Sequence, residues 1–235
     1  MTAVEPMATE QGEYWRCTAI EPQTRLRVGR GLGATETEGA IQLWQQVKQR
    51  RAHQHCPPPT LSDGWGGHRE ALLEVYGQVP PYKGRGRRPT CKAPSPDWHY
   101  TQMVKQRDAK GNYCGVKIRV VYGDATTLQR TGQRTTCVER TNLTSRHMNS
   151  RLVRKTLGYS KRVAMLQAAC IWEDAVYNLN HPVKTLRIQI KADGKQWMAC
   201  SPMMAADLTD HLWSIRELLT LVPIPKQASS FTNHV

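Results

Sequence analysis

Tyr14-Trp15-Arg16-Cys17-Thr18-Ala19-Ile20-Glu21-Pro22-Gln23-Thr24-Arg25-Leu26-Arg27-Val28 decides how this chain begins to fold. β-Formers alternate with polar residues over Tyr14–Ile20 and again over Arg25–Val28, the period-two pattern of half-buried strands. Between them Glu21-Pro22-Gln23-Thr24 supplies a turn, with proline where its fixed φ suits one. A glycine-rich stretch follows at 29–33. Thr35 or Thr37 can then cap a helix whose apolar stripe is Ala40, Ile41, Leu43, Trp44 and Val47. That helix must stop before Pro57-Pro58-Pro59, since proline lacks the N–H and clashes with the preceding turn. Thr60-Leu61-Ser62 reads as a short strand delivering Asp63-Gly64-Trp65-Gly66-Gly67, and residues 68–76 as a second helix. The order strand, strand, helix, strand, helix predicts an α/β fold, a mixed sheet with flanking helices.

Past Tyr76 the rhythm breaks. Residues 80–89 are rich in proline, glycine and arginine and can continue neither a helix nor a central strand. Tyr100–Gln106 and Tyr113–Tyr122 predict a hairpin around Asp108-Ala109-Lys110-Gly111-Asn112. Residues 77–134 therefore read as a basic insertion on the sheet domain, with 80–97 equally readable as a linker. From Thr135 to about Asn178 the pattern is helical, broken near Gly158. Its second half carries an apolar side of Val163, Leu166, Ala169, Cys170, Trp172, Val176 and Tyr177. A strand at Leu186–Ile190, a turn at Asp193-Gly194 and a helix over Ala205–Leu219 complete the chain. The expected division is a disordered N-terminus (1–13), a sheet domain in two parts (14–76 and 135–180), the insertion between them and a C-terminal tail (181–235).

With 235 residues and an apolar fraction of 39%, the chain can build one sizeable domain or two small ones. No apolar run approaches the roughly 20 residues of a membrane span, and the N-terminus has no apolar signal core. Seven widely spaced cysteines match neither a zinc knuckle nor a thioredoxin-like motif, and read as reduced thiols of a cytoplasmic protein. Charge is the most informative property. The chain carries a formal +14, yet Lys83–Arg162 alone holds 19 Lys/Arg against 4 Asp/Glu, leaving the remainder near neutral. A basic block inside a neutral protein is the footprint of a polyanion partner, with a merely solvated basic face as the bland alternative.

Two carboxylates stand out. Asp63 closes a strand-like segment and precedes Gly-Trp-Gly-Gly, and active sites of layered sheets gather at the carboxyl ends of strands. Taken alone, Ser-Asp-Gly is also an ordinary turn. Glu139 is the only acid between Ala125 and Trp172, among nine Lys/Arg. It could form salt bridges, or hold a metal ion against a scissile phosphate while the basic groups hold the remaining nucleic acid. On a helix it shares a stripe with Asn142 and Arg146, at i+3 and i+7.

The run Cys137-Val138-Glu139-Arg140-Thr141-Asn142-Leu143-Thr144, continued by Arg151-Leu152-Val153-Arg154-Lys155-Thr156-Leu157-Gly158-Tyr159-Ser160-Lys161, resembles the C-terminal signature of insertion-element transposases of the insertion-sequence-one type. In that family a "VER-N" helix start precedes an "R-x-x-RKT-x-x-(F/Y)SK" tail. Ser62-Asp63-Gly64-Trp65 is similar to the family's second-aspartate strand, Trp15–Val28 to its early hairpin, and Ser201–Trp213 to the tail of a longer branch. The resemblance covers about residues 14–220. It implies an RNase H-like sheet and a triad of two aspartates and a glutamate holding two Mg²⁺ (or Mn²⁺) ions, with Asp63 as the second aspartate and Glu139 as the glutamate. It further implies DNA contacts by Arg140, Asn142, Arg146, Arg151, Arg154, Lys155 and Lys161, a homo-oligomer when active, and a bacterial, nucleoid-associated location. The first aspartate belongs on a strand before the hairpin, and no Asp precedes Asp63 here. The chain thus reads as an incomplete copy lacking its first strand. The competing readings are a DNA-binding remnant without catalysis and an RNase H-like nuclease unrelated to transposition. A shared metal site further predicts that Asp63 and Glu139 approach each other at one edge of the sheet.

Overall fold

The computed structural model describes residues 14–84, 86–132, 135–153, 156–192 and 195–221. The chain divides into two compact units, Met1–Glu173 and Asp174–Val235. The expected disorder at 1–13 and the turn at Asp193-Gly194 lie outside the described residues.

The first unit begins with the expected hairpin. Strands β1 (Trp15–Ile20) and β2 (Arg27–Gly33) pair antiparallel, Trp15 opposite Gly33 and Ala19 opposite Gly29. In the turn, the Glu21 carboxylate accepts hydrogen bonds from the Gln23 and Thr24 backbone N–H groups and from the Thr24 hydroxyl. Arg25 takes a left-handed φ of 60°.

Helix α1 (Glu36–Arg50) starts with a capping box: Thr35 Oγ1 accepts from Glu38 N, and Glu38 Oε2 from Ala34 N. Acids in its first turn and bases in its last complement the helix dipole. Glycines let α1 lie directly on β2. A Cβ at Gly31 would sit 1.8 Å from the Gly39 carbonyl oxygen. From this close seat, Gln46 and Gln42 accept from the Arg30 and Leu32 N–H groups, and Arg50 donates to the Val28 carbonyl. Positions 42, 46 and 50 form one helical stripe, so α1 satisfies the outer edge of β2 that would otherwise invite another strand.

A second, three-stranded sheet has the order β3-β4-β5, from β3 (Thr60–Asp63), β4 (Tyr100–Arg107) and β5 (Tyr113–Tyr122). β3 and β4 run parallel, Thr60 opposite Tyr100 and Asp63 opposite Met103; β4 and β5 run antiparallel. The parallel pair is joined through helix α2 (Gly67–Tyr76) and a long connection. One core serves both sheets: Ala40, Leu43, Trp44 and Val47 of α1, Ala71, Leu72 and Tyr76 of α2, and Trp98 and Tyr100 at the base of the hairpin. Each large apolar side chain so buried stabilises by about 1.5–3 kcal/mol. Trp98 packs edge-on against Tyr76 and Tyr122. The base of β4 is therefore interior, whereas the sequence pattern suggested an appended hairpin.

Helix α3 (Thr127–Thr131) closes the base of the hairpin, with His99 bonded to Thr127 and Thr101 to Thr131. Helix α4 (Thr136–Met148), a 3₁₀ turn (Ser150–Leu152) and helix α5 (Val163–Leu179) follow, and Gly158, where a break was expected, lies between the 3₁₀ turn and α5. On α5, Leu166 and Cys170 are buried, but Trp172, assigned from sequence to the apolar side, is 39% exposed. The buried position beside it is Glu173. Its carboxylate meets Arg16 Nη2 of β1 at 2.8 Å and Arg27 of β2, and Arg27 also donates to the Thr141 carbonyl of α4. Cys17 and Ala19 pack against the apolar core while Arg16, one residue out of phase, meets Glu173; strand alternation makes both possible.

The second unit contains the hairpin β6 (Ile188–Ala192) and β7 (Lys195–Met198), and helices α6 (Pro202–Ala205) and α7 (Ile215–Leu221). Arg187 stacks over the Trp197 ring. The helix expected over Ala205–Leu219 is split. Asp207 adopts φ 54°, which ends α6, and Asn180 Nδ2 donates to the Trp213 carbonyl in the non-helical stretch between the two pieces. No helix among the described residues is long and apolar enough to cross a membrane.

Candidate functional site

Asp63 occupies the last position of β3, where the strand gives way to a glycine turn. Its Oδ1 accepts from Trp65 N at 3.2 Å, closing an Asx-type turn that fixes the side chain at the strand end. Ser62 holds the backbone from behind, donating to the Asp63 carbonyl at 2.8 Å and bonding the Tyr100 hydroxyl at 2.8 Å. The carboxylate itself is 71% exposed. The end of an edge strand thus presents an acid to solvent.

The charge of Asp63 acts on three further groups. His68, on the first turn of α2, lies with Nε2 3.8 Å from Asp63 Oδ1 and packs edge-on against Trp65. Burial lowers the His68 pKa and the Asp63 charge only partly offsets this, so the imidazole is neutral at neutral pH. Glu36, at the start of α1, has its pKa raised by burial and by the Asp63 charge. The Cys17 thiol, whose Sγ donates weakly to the Glu36 carbonyl, is pushed up to about 11 by burial, then by Glu36 and Asp63. Two like charges in a shared environment are what a cation would relieve. Sequence reading missed Glu36 because an acid in a first helical turn is ordinary capping, and nothing local announces that β3 ends beside it. His68 gave no signal beyond its closeness to Asp63.

Glu139 lies in the first turn of α4, its backbone N–H bonded to the Thr135 carbonyl. The buried side of α4 is Thr141 and Ser145. Glu139, Arg140, Asn142 and Arg146 are all exposed, so the expected stripe of 139, 142 and 146 does face solvent. Arg151 is half-buried and donates to the buried Ser160 hydroxyl at 2.8 Å, which ties together the segment between α4 and α5. Lys161 is exposed. Arg154 and Lys155 lie outside the described residues. The Asp63 charge acts on Glu36, and Glu139 is exposed on α4 together with Arg140, Asn142 and Arg146.

Asp63 and Glu36 are hard oxygen donors suited to one Mg²⁺ or Mn²⁺. Two ions need a larger set, and among the described residues no group of three or more His, Cys, Asp or Glu side chains is arranged to hold a metal. No family model, no curated protein and no solved structure matches the chain.

Proposed function

We propose that this chain is a DNA-binding domain of an insertion-element transposase, built on an RNase H-like sheet, with Asp63 and Glu139 as two of its three metal-binding acids. The observation that carries the reading is Asp63: an exposed carboxylate at the carboxyl end of a parallel strand, held by the Trp65 N–H. The exposed face of α4 supports it, since Glu139 there accompanies Arg140, Asn142 and Arg146. Bound Mg²⁺ would neutralise charge on a phosphate and activate water. Asp63 would hold it, with Glu36 as the neighbouring acid and Glu139 in the family's arrangement. The positive side chains of α4 would track the backbone of the DNA, an attraction that needs no particular sequence. Catalysis by the chain alone is expected to be poor, because these carboxylates are fewer than two dications require.

The test pairs binding with cleavage. Duplex DNA is titrated with the chain at rising salt, and nicking is followed with Mg²⁺ or Mn²⁺ for the chain, Asp63→Asn and Glu139→Gln. Salt-sensitive binding with weak nicking supports the reading. Absence of DNA binding at low salt overturns it, and strong nicking abolished by either substitution would show a complete site.

A further inference from the structure

We propose that the free end of the β4–β5 hairpin is a second DNA-contacting element, a two-stranded ribbon that enters the major groove. This rests on the DNA-binding reading above and adds a surface that α4 does not supply. β3 ends at Asp63, opposite Met103, so beyond that point β4 has β5 as its sole partner strand among the described residues. Residues 104–107 and 113–117 form a ribbon past the edge of the sheet, about 15 Å long at roughly 3.4 Å per residue. The major groove, about 12 Å wide, admits a two-stranded β-ribbon.

The chemistry of the ribbon favours a polyanion. Lys105, Arg107, Lys110 and Lys117 are all exposed, as is Arg119 of the adjoining three-stranded part, and the ribbon's one acid, Asp108, is absorbed by the turn. Its carboxylate accepts from the Lys110 and Asn112 backbone N–H groups and from Asn112 Nδ2. Among the described residues, Lys105, Lys110 and Lys117 make no ion pair. Arg107 bonds the Gly111 carbonyl and Arg119 the Gln102 side chain, which steadies both guanidinium groups without neutralising them.

The two faces differ. Lys105 pairs with Val116, and Arg107 with Tyr113. Val116 and Tyr113, 38% and 62% exposed, thus share a face with Lys105 and Arg107. Base edges in the major groove offer matching features: guanine acceptors for Arg and Lys, and the thymine methyl for an apolar contact. Lys117 pairs with Val104, so it occupies the opposite face, where it can reach phosphate.

The experiment uses the full chain and a fluorescein-labelled duplex of about 30 base pairs, three helical turns. Anisotropy titrations at several salt concentrations compare the wild type, Lys105→Gln/Lys110→Gln/Lys117→Gln and Arg140→Gln/Arg146→Gln, while dimethyl sulfate reports access to guanine N7. The lysine triple is expected to flatten the log–log salt slope by about 0.9 for each phosphate no longer neutralised, up to about 2.7, and to relieve N7 protection. The three single-lysine variants serve if the triple fails to fold, each with a proportionate share. An unchanged slope and unchanged N7 protection in the lysine variants overturn the ribbon assignment, even where the α4 variant weakens binding. If the wild type does not bind duplex at all, the proposed function itself falls.

Discussion

Glu173 is the residue whose replacement should damage the fold most informatively. Its carboxylate lies between Arg16 and Arg27, with side-chain exposures of 3%, 9% and 1% respectively. Glu173→Gln keeps nearly the same volume but removes the carboxylate charge that meets both buried guanidinium groups. Removing one partner of a buried ion pair costs about 3–5 kcal/mol, because the stranded charge keeps its desolvation penalty. For a unit of this size, each kcal/mol moves the melting temperature by about 2–4 °C, so a fall of roughly 6–20 °C is expected. Urea unfolding followed by circular dichroism and tryptophan fluorescence measures the loss directly. An unchanged m-value would show that the native state, and not the compactness of the unfolded chain, has changed. A second arm separates charge from packing. The all-apolar triple Arg16→Met/Arg27→Leu/Glu173→Leu removes these three charges together and should recover most of the stability, less about 1 kcal/mol for the Thr141 carbonyl that Arg27 serves. The reasoning fails if Glu173→Gln loses less than about 1 kcal/mol, or if the triple is worse than the single variant.

Gly31→Ala should destabilise by about 1–3 kcal/mol or prevent folding, since its Cβ would overlap the Gly39 carbonyl of α1. Gly66→Ala, which meets nothing within 4 Å, should change the denaturation midpoint by less than about 0.5 kcal/mol. For Cys17, the folded thiol holds its proton up to about 11, against 9.0 when unfolded. Its contribution to stability is therefore complete below the lower value and declines as pH rises through the interval between them. Urea midpoints across that range should fall for the wild type and fall less for Cys17→Ala. At neutral pH, iodoacetamide should label the exposed Cys91 and Cys114 well before Cys17.

The features legible in the linear order are those whose causes are local. Alternation and a proline turn announced the first hairpin, although its second strand, read at Arg25–Val28, runs through the glycines to Gly33; threonine capping and the 40–47 stripe announced α1, and the five-residue turn at 108–112 announced the β4–β5 hairpin. The concentration of positive charge was readable from the residues alone. Asp63 was conspicuous because a short strand and three glycines frame it, and Glu139 because no other acid is near it in the sequence. Other features depend on which distant segments pack together. β3 reaches β4 across about 40 positions, and the Asp63 charge acts on Glu36 although the two lie on separate elements. Trp172 was placed on the apolar side of its helix, yet it is Glu173 beside it that is buried, against two arginines of the β1–β2 hairpin. In the second unit, the helix read over 205–219 breaks at Asp207, where a left-handed backbone overrides helix propensity. Periodicity reports whether a face is apolar, not which face it will meet. Burial of a charge, the sealing of a strand edge by Gln42 and Gln46, and the company Asp63 keeps all depend on contacts between segments remote in sequence, and those exist only once the chain has folded.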